Sequence, residues 1–116
     1  MQVNIRKRVS VALVTLLIIR VAFGAVVSTN SSTITPGSVF SYATFGNGDV
    51  VFQLDTSGLS QCYGFWMRAS DARFRTEVAA LFSAVATRST IKVYAGTAQL
   101  WSGNTSPYCL VYSIVQ

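Results

Sequence analysis

The sequence predicts a mainly β fold with one helix, an α+β class in which short strands close into a small antiparallel barrel. Six short segments have the features of strands, and residues 37–45 and 90–95 among them alternate with a period of two, which is typical of strands in a sheet. Between the third and fourth of these, apolar residues recur at helical spacing. The predicted order is therefore βββ-α-βββ. An open α+β sandwich is the alternative arrangement.

The first segment, residues 1–24, has the features of a secretory signal peptide. Arg6, Lys7 and Arg8 precede an apolar run over residues 9–19, and the small residues of Ala22-Phe23-Gly24 follow. The apolar run is too short for a membrane span. We expect cleavage after Gly24 and a secreted or periplasmic mature protein without a membrane span. An uncleaved anchor is the alternative.

The basic charge of the chain comes mostly from this segment. The full sequence has a net charge of +5 with nine basic residues, and four of them lie in residues 1–24. Their removal leaves a net charge of +1, so the high isoelectric point does not indicate nucleic acid as a partner.

Cys62 and Cys109 are the two cysteines of the sequence. In an oxidising compartment two cysteines in one small domain most simply pair with each other. Loop closure of this length stabilises a domain by roughly 4 kcal/mol in the chain-entropy model. Two buried free thiols in a reducing compartment are the alternative.

The mature chain divides into a flexible Ser/Thr-rich segment, residues 25–36, that leads into one barrel domain, residues 37–116. Asn47-Gly48 favours a tight hairpin between the first two strands. Both faces of the third strand are apolar, which predicts a central position or an interface. The predicted strands cover residues 37–45, 50–54, 61–67, 90–95, 98–102 and 108–115.

The predicted helix follows Ser70 or Asp71, either of which is a suitable side-chain cap for its first amides. One apolar stripe is expected to face the core, and it comprises Phe74, Val78, Leu81, Phe82 and Val85.

The sequence contains little catalytic chemistry. It has no histidine, so the usual general base and every Ser-His-Asp arrangement are excluded. Two cysteines alone do not make a zinc site. Asp49 and Asp55 are weak candidates for a glycosidase pair. We expect a protein that is not an enzyme and that needs no metal or cofactor, with a small hydrolase as the minor alternative.

Aromatic residues point instead to binding. Amphipathic Tyr and Trp rings suit both sugar faces and subunit contacts, although core packing accounts for many rings. Charged residues are only 11% of the chain, which favours a sizeable buried interface.

Several of these features together resemble the B subunits of subtilase-cytotoxin and pertussis-like bacterial toxins. The resemblance lies in Cys62-Tyr63-Gly64, the helix over residues 71–87, the strand Ile91-Lys92-Val93-Tyr94, then Trp101 and the late Cys109. It covers residues 37–116.

The resemblance implies an oligonucleotide/oligosaccharide-binding (OB) barrel that assembles into a homopentameric ring with the helices lining the centre. Such a ring binds host-cell glycans, often sialylated, and delivers a separate catalytic A subunit. A secreted protein-interaction or inhibitor domain on the same barrel, without glycan binding, is the alternative function.

The resemblance also implies a glycan site. Ser38 matches a serine near the start of the family's first strand, Asp55 and Thr56 lie at the end of the second, and Tyr94 ends the strand after the helix. Asp55 would repel a sialic carboxylate unless it accepts a hydroxyl proton, which leaves a neutral glycan open. Ser38 and Thr56 are otherwise ordinary turn residues.

Overall fold

The computed structural model describes residues 25–43 and 45–116, so the predicted signal peptide lies outside the described residues. A 3₁₀ turn over Phe45–Gly48 separates the second strand from the third. The other elements are β1 (Val26–Ser28), β2 (Phe40–Ser41), β3 (Val50–Phe52), β4 (Gly64–Met67), α1 (Phe74–Thr87), β5 (Lys92–Leu100) and β6 (Tyr108–Val115).

The strands form one curled, mixed sheet in the order β1-β5-β6-β4-β3-β2. All neighbours are antiparallel except β4 and β6, which are parallel. The prediction of a wholly antiparallel sheet is therefore wrong for this pair. Parallel neighbours need a long crossover, and α1 with β5 supplies it.

The expected βββ-α-βββ order is also corrected, because four strands precede the helix in the described chain and two follow it. Gly96 does not turn the chain as predicted. Instead β5 runs through it, and the pairing with β6 becomes irregular between Gly96 and Leu100. The sequence pattern suggested two separate strands at this point, and the structure has one strand with an irregular pairing instead.

Residues 25–36 are not separate from the sheet, contrary to the prediction of a flexible segment leading into the domain. β1 pairs with β5, and the amide of Ser32 donates to the carbonyl of Ile91 at 2.9 Å. Further along, the amide of Thr35 donates to the carbonyl of Gln53 at 2.9 Å, just beyond β3. One segment thus hydrogen-bonds to both outer parts of the sheet and holds it in its curled form.

The sheet packs apolar residues on both faces. Phe65 and Met67 of β4 point into the main core with Leu81 of α1, whereas Trp66 belongs to a second cluster with Trp101. β4 lies between β3 and β6. The prediction of a central third strand is confirmed, and the alternation of its side chains serves both clusters.

Helix α1 starts later than its predicted cap. Arg73 occupies the N-cap position without a side-chain cap bond, and the Asp71 carboxylate accepts from Arg68. Leu81 and Ala84 are buried against the sheet, but Phe82 and Val85 are exposed. The prediction that Phe82 and Val85 face the core is therefore wrong. The small side chain of Ala84 instead faces the core and lets α1 lie close to the sheet.

The disulfide predicted between Cys62 and Cys109 is present, with a Cα–Cα distance of 5.6 Å. It links the chain just before β4 to β6, and both cysteines are buried in the main core. In the turn before β3, Asn47 and Gly48 both adopt left-handed conformations, with φ of 59° and 79°. The prediction of a tight hairpin at Asn47-Gly48 is nevertheless wrong, because β2 ends at Ser41 and a longer connection with a 3₁₀ turn leads to Val50; the two residues supply left-handed conformations within that turn. No helix in the described chain is long and apolar enough to cross a bilayer.

Candidate functional site

The second cluster, which contains Trp66 and Trp101, borders a cleft of about 350 Å³, which we call the indole cleft. Its walls come from the turn before β3, from the end of β4 and from the start of the β5–β6 loop. The side chains that matter below are Asn47, Asp49, Trp66, Arg68, Leu100 and Trp101. These residues are far apart in the sequence and are brought together by the pairing of β3 with β4 and of β4 with β6.

Arg68 is held at the indole cleft by two polar partners. Its Nε donates to Oδ1 of Asp71 at 2.9 Å, and its Nη2 lies 2.9 Å from the same oxygen. Its Nη1 donates to Oε1 of Gln99 at 3.0 Å. The guanidinium also lies 5.9 Å from the ring centre of Trp66, within the range of a cation–π contact. A normally mobile side chain is thereby fixed in one orientation.

Asp49 presents a buried carboxylate to the indole cleft. The residue is 4% exposed, and its Oδ1 accepts the amide of Ala69 at 2.8 Å. Its own carbonyl accepts the amide of Tyr42 at 3.1 Å, which fixes the backbone as well. Buried acidic residues are uncommon without partners, so this carboxylate is held in place by its surroundings.

The two indoles of the indole cleft differ in hydrogen bonding. Nε1 of Trp66 donates to the carbonyl of Gln99 at 3.1 Å. Nε1 of Trp101 is buried and has no partner among the described residues. A buried donor without a partner costs about 1–3 kcal/mol. The Trp101 N–H is thus a donor that a small movement or a bound polar group would satisfy.

A row of five rings crosses this side of the sheet. Successive centroids are 6.4, 5.4, 5.8 and 5.7 Å apart, distances at which aromatic pairs attract one another. Trp101 and Tyr108 are buried and Tyr42 is partly buried, whereas the two end rings, Phe40 and Tyr63, are more than half exposed. In order, the row is Phe40, Tyr42, Trp101, Tyr108 and Tyr63.

A larger cleft of about 610 Å³ lies between residues 33–39 and the C-terminal half of α1, and we call it the helix cleft. Apolar side chains such as Ile34, Val39 and Val85 form most of its wall. Asp55 and Arg88 contribute its charged groups. The indole cleft has the denser set of fixed polar groups, so it is the stronger candidate for specific recognition.

The four residues predicted for a glycan site do not form one cluster. Ser38 is buried, and its hydroxyl accepts the amide of Gln53 at 3.1 Å. Asp55 lines the helix cleft and accepts from Thr33 at 2.8 Å. The amide of Thr56 donates to the hydroxyl of Ser32 at 2.8 Å, so this residue faces the same N-terminal segment.

Tyr94 lies elsewhere, in the sheet region formed by β1, β5 and β6. It is paired in register with Ser28 of β1 and Ser113 of β6, and its ring is exposed. Ser38, Asp55 and Thr56 thus lie near one another along the end of β3, whereas Tyr94 is placed on a different part of the sheet. Their role in glycan binding stays a prediction.

The sequence does not predict the indole cleft, because the residues that line it come from three separate segments of the chain. Asp49 was considered only as a possible partner of Asp55, and the two Trp residues only as individual rings. One usable signal is the pair Trp66 and Arg68, two positions apart at the end of a predicted strand. Residues at i and i+2 share a face of a strand, so an indole and a guanidinium are placed side by side.

Glu77 on α1 has a raised pKa. Burial on α1 raises the pKa of its carboxyl from 4.5 to about 7, with a further increase from Asp71 and an opposing effect of Arg73. It is not among the residues that line either cleft. No group of three potential metal ligands occurs in the described residues.

Comparison of the chain with protein-family models, curated proteins and solved structures found no match.

Proposed function

We propose that this chain is a secreted, non-enzymatic glycan-binding domain, the ring-forming B subunit of a toxin that delivers a catalytic A subunit. The observation that carries the glycan-binding part is the indole cleft. It combines a fixed guanidinium, a buried carboxylate and indole rings, which is the mixture of apolar and polar groups that orients a small ligand.

The position of the indole cleft supports this reading. The proposal takes the curled sheet as an OB-type barrel, in which ligands bind on the face of the second and third strands between two flanking loops. If β2 is counted as the first barrel strand, β3 and β4 correspond to those two strands, and Asp49 and Trp101 belong to the two flanking loops.

Exposed apolar residues on the helix support assembly into a ring. Phe82 is 48% exposed and Val85 43%, and both lie on the side of α1 that the sheet does not cover. Ala79 and Ala86 are also exposed on this helix. Small and apolar residues allow close packing of helices, as the resemblance implies for the centre of a pentamer. The disulfide is compatible with the extracytoplasmic location that such a protein requires.

The direct test uses the exported protein with its disulfide intact. Native mass spectrometry and light scattering should give a homo-oligomer, with five copies expected, and a glycan array should retain it. A well-folded monomer that binds none of a broad set of glycans would contradict both parts of the proposal.

A Phe82→Ser variant tests the helix face separately, with Ser83→Ala on the same helix as the control. Because Phe82 is exposed in the single chain, Phe82→Ser should dissociate the ring without unfolding the domain. An unchanged mass would show that the helices do not form the ring interface.

The alternative is a secreted protein-interaction or inhibitor domain on the same barrel. It is favoured by three exposed apolar or aromatic residues on the β1-β5-β6 part of the sheet, namely Val26, Tyr94 and Tyr112. Under this alternative, changing Tyr112 to Ser should abolish capture of a protein partner, while variants in the indole cleft should have no effect.

A further inference from the structure

We infer that the indole cleft selects a neutral, hydroxyl-rich sugar over an acidic one, with the Asp49 carboxylate and the Trp101 N–H as its ligand groups. This inference rests on the proposed glycan-binding function and specifies its substrate class. It differs from the sialylated glycan that the resemblance suggests, and the difference arises from the charges at this cleft.

The charges around the cleft disfavour an anion. Asp49 and Arg68 line the cleft and cancel in formal charge, and Asp71, which does not line it but is paired with Arg68, adds a second negative charge, so the set is net negative. The guanidinium is also engaged already, through Nε and Nη2 with Asp71 and through Nη1 with Gln99. A sugar carboxylate would have to displace these partners and approach two like charges, whereas a neutral hydroxyl meets neither cost.

The same groups suit hydroxyls. An ionised carboxylate accepts several hydrogen bonds, and only Oδ1 of Asp49 is occupied by a described protein donor, the Ala69 amide. Trp101 has a buried N–H without a described partner. A sugar hydroxyl both donates and accepts, so it can donate to Asp49 and, once a small movement of the ring opens the buried N–H, accept from Trp101. Arg68 acts here as a positioning residue that holds the indole of Trp66 and the side chain of Gln99.

The size of the cleft limits the ligand further. At about 350 Å³ it is near the lower end of the range for small-molecule pockets, roughly 300–1,000 Å³. This volume suits a terminal sugar residue better than an extended chain. The exposed side chain of Leu100 at the rim offers an apolar contact for the ring face of that sugar.

The first test compares Asp49→Asn with Asp55→Asn, which makes the same charge change in the helix cleft. An Asn side chain can still accept from the Ala69 amide, so the turn before β3 should remain folded. The probes are a neutral oligosaccharide and the same oligosaccharide capped with sialic acid, measured by calorimetry. Asp49→Asn should weaken binding of the neutral probe about tenfold or more, whereas a loss confined to Asp55→Asn, at the residue that the resemblance assigns to a glycan site, would overturn the inference.

The ratio of the two affinities gives a readout that a purely structural role would not change. The parent protein should prefer the neutral probe. Asp49→Asn removes one negative charge, so it should reduce this preference by raising the relative affinity for the sialylated probe. Equal losses for both probes would contradict a direct contact between Asp49 and the sugar.

Trp101→Phe is an independent variant that removes the N–H and keeps an aromatic ring between Tyr42 and Tyr108. Removal of a buried donor without a described partner offsets part of the lost indole packing, so the variant should remain folded by circular dichroism and yet bind the neutral probe several-fold more weakly. Unchanged binding by both Trp101→Phe and Asp49→Asn would overturn the assigned ligand groups.

The outcomes separate the inference from the function on which it rests. If neither probe nor any array glycan binds, the glycan-binding function itself fails. If the sialylated probe binds more tightly than the neutral one, or if binding is lost in Ser38→Ala but kept in Asp49→Asn, the function stands and the inference about this cleft is overturned.

Discussion

Gly103 lies directly against the indole of Trp101, in space that a Cβ atom on residue 103 would have to share with the ring. Its φ is not in the left-handed region, which among the described glycines is occupied by Gly37, Gly48 and Gly58. Space rather than backbone conformation therefore requires glycine here. The contact packs the β5–β6 loop against its own first residue, whose ring lines the indole cleft.

Gly103→Ala should consequently displace Trp101 and lower the free energy of unfolding by about 1–3 kcal/mol, the usual cost of overpacking. Urea denaturation followed by tryptophan fluorescence measures this change. Gly96→Ala is the matched control, because its Cβ would meet the hydroxyl end of the exposed Tyr112 side chain at 2.9 Å, and that side chain can move. Equal losses in the two variants would contradict a specific role of the Trp101 contact.

Removal of the disulfide should destabilise the domain strongly. The sequence separation of Cys62 and Cys109 is 47, for which chain entropy gives about 4 kcal/mol. Urea denaturation with and without a reductant measures the loss. The double variant Cys62→Ala/Cys109→Ala should be as unstable as the reduced protein and insensitive to reductant. A reduced protein as stable as the oxidised one would show that the bridge adds nothing to the fold.

Thr29 should be important for the attachment of the N-terminal segment. Its hydroxyl accepts the amide of Val93 at 2.9 Å in a buried position. Thr29→Val keeps the shape but leaves that amide unpaired, so the free energy of unfolding should fall by about 1–3 kcal/mol. Hydrogen exchange should show the loss locally, at residues 26–32.

Thr76→Val on the exposed surface of α1 is the control for this change, and it should alter stability by less than about 0.5 kcal/mol. If the two variants are equally stable, then residues 25–36 behave as the flexible segment that the sequence analysis predicted.

Glu77 should make stability depend on pH. Its pKa is raised from 4.5 to about 7 in the folded state, so the folded chain holds the proton more tightly than the unfolded chain. The contribution of Glu77 to the free energy of unfolding is present below pH 4.5 and is lost as pH rises toward about 7.

The measurement is the melting temperature of the parent minus that of Glu77→Gln, taken across this pH range. We expect the difference to fall as pH rises and to level off above the folded-state pKa. A difference that rises with pH would indicate that Glu77 is stabilised in its charged form.

Local residue patterns predicted several elements well. Short apolar runs bounded by turn residues identified β3 and β4, helical spacing identified α1, and the two cysteines indicated their own pairing. These features depend on neighbours within a few residues, or on the absence of any other cysteine partner. The same local reasoning failed for β1, because a Ser- and Thr-rich segment has no apolar alternation, and for Gly96, because a glycine inside a long strand looks like a turn.

The candidate site was less accessible to sequence reasoning. Ser38, Asp55 and Thr56 were predicted from a resemblance, and the structure places them near one end of β3 with Tyr94 elsewhere. The indole cleft was not predicted, although Trp66 and Arg68 share a strand face. Its other members come from loops whose meeting point depends on strand order.

The class of fold, the helix and the covalent link follow from the amino-acid sequence, since propensity, periodicity and cysteine count are properties of the chain. Long-range packing is needed to make β4 parallel to β6, to connect residues 29–35 to both sides of the sheet, and to place Asp49, Arg68 and Trp101 around one cleft. The physical reason is that strand pairing is a choice among many long-range contacts of similar energy, and it is settled by packing of the whole domain rather than by any single segment.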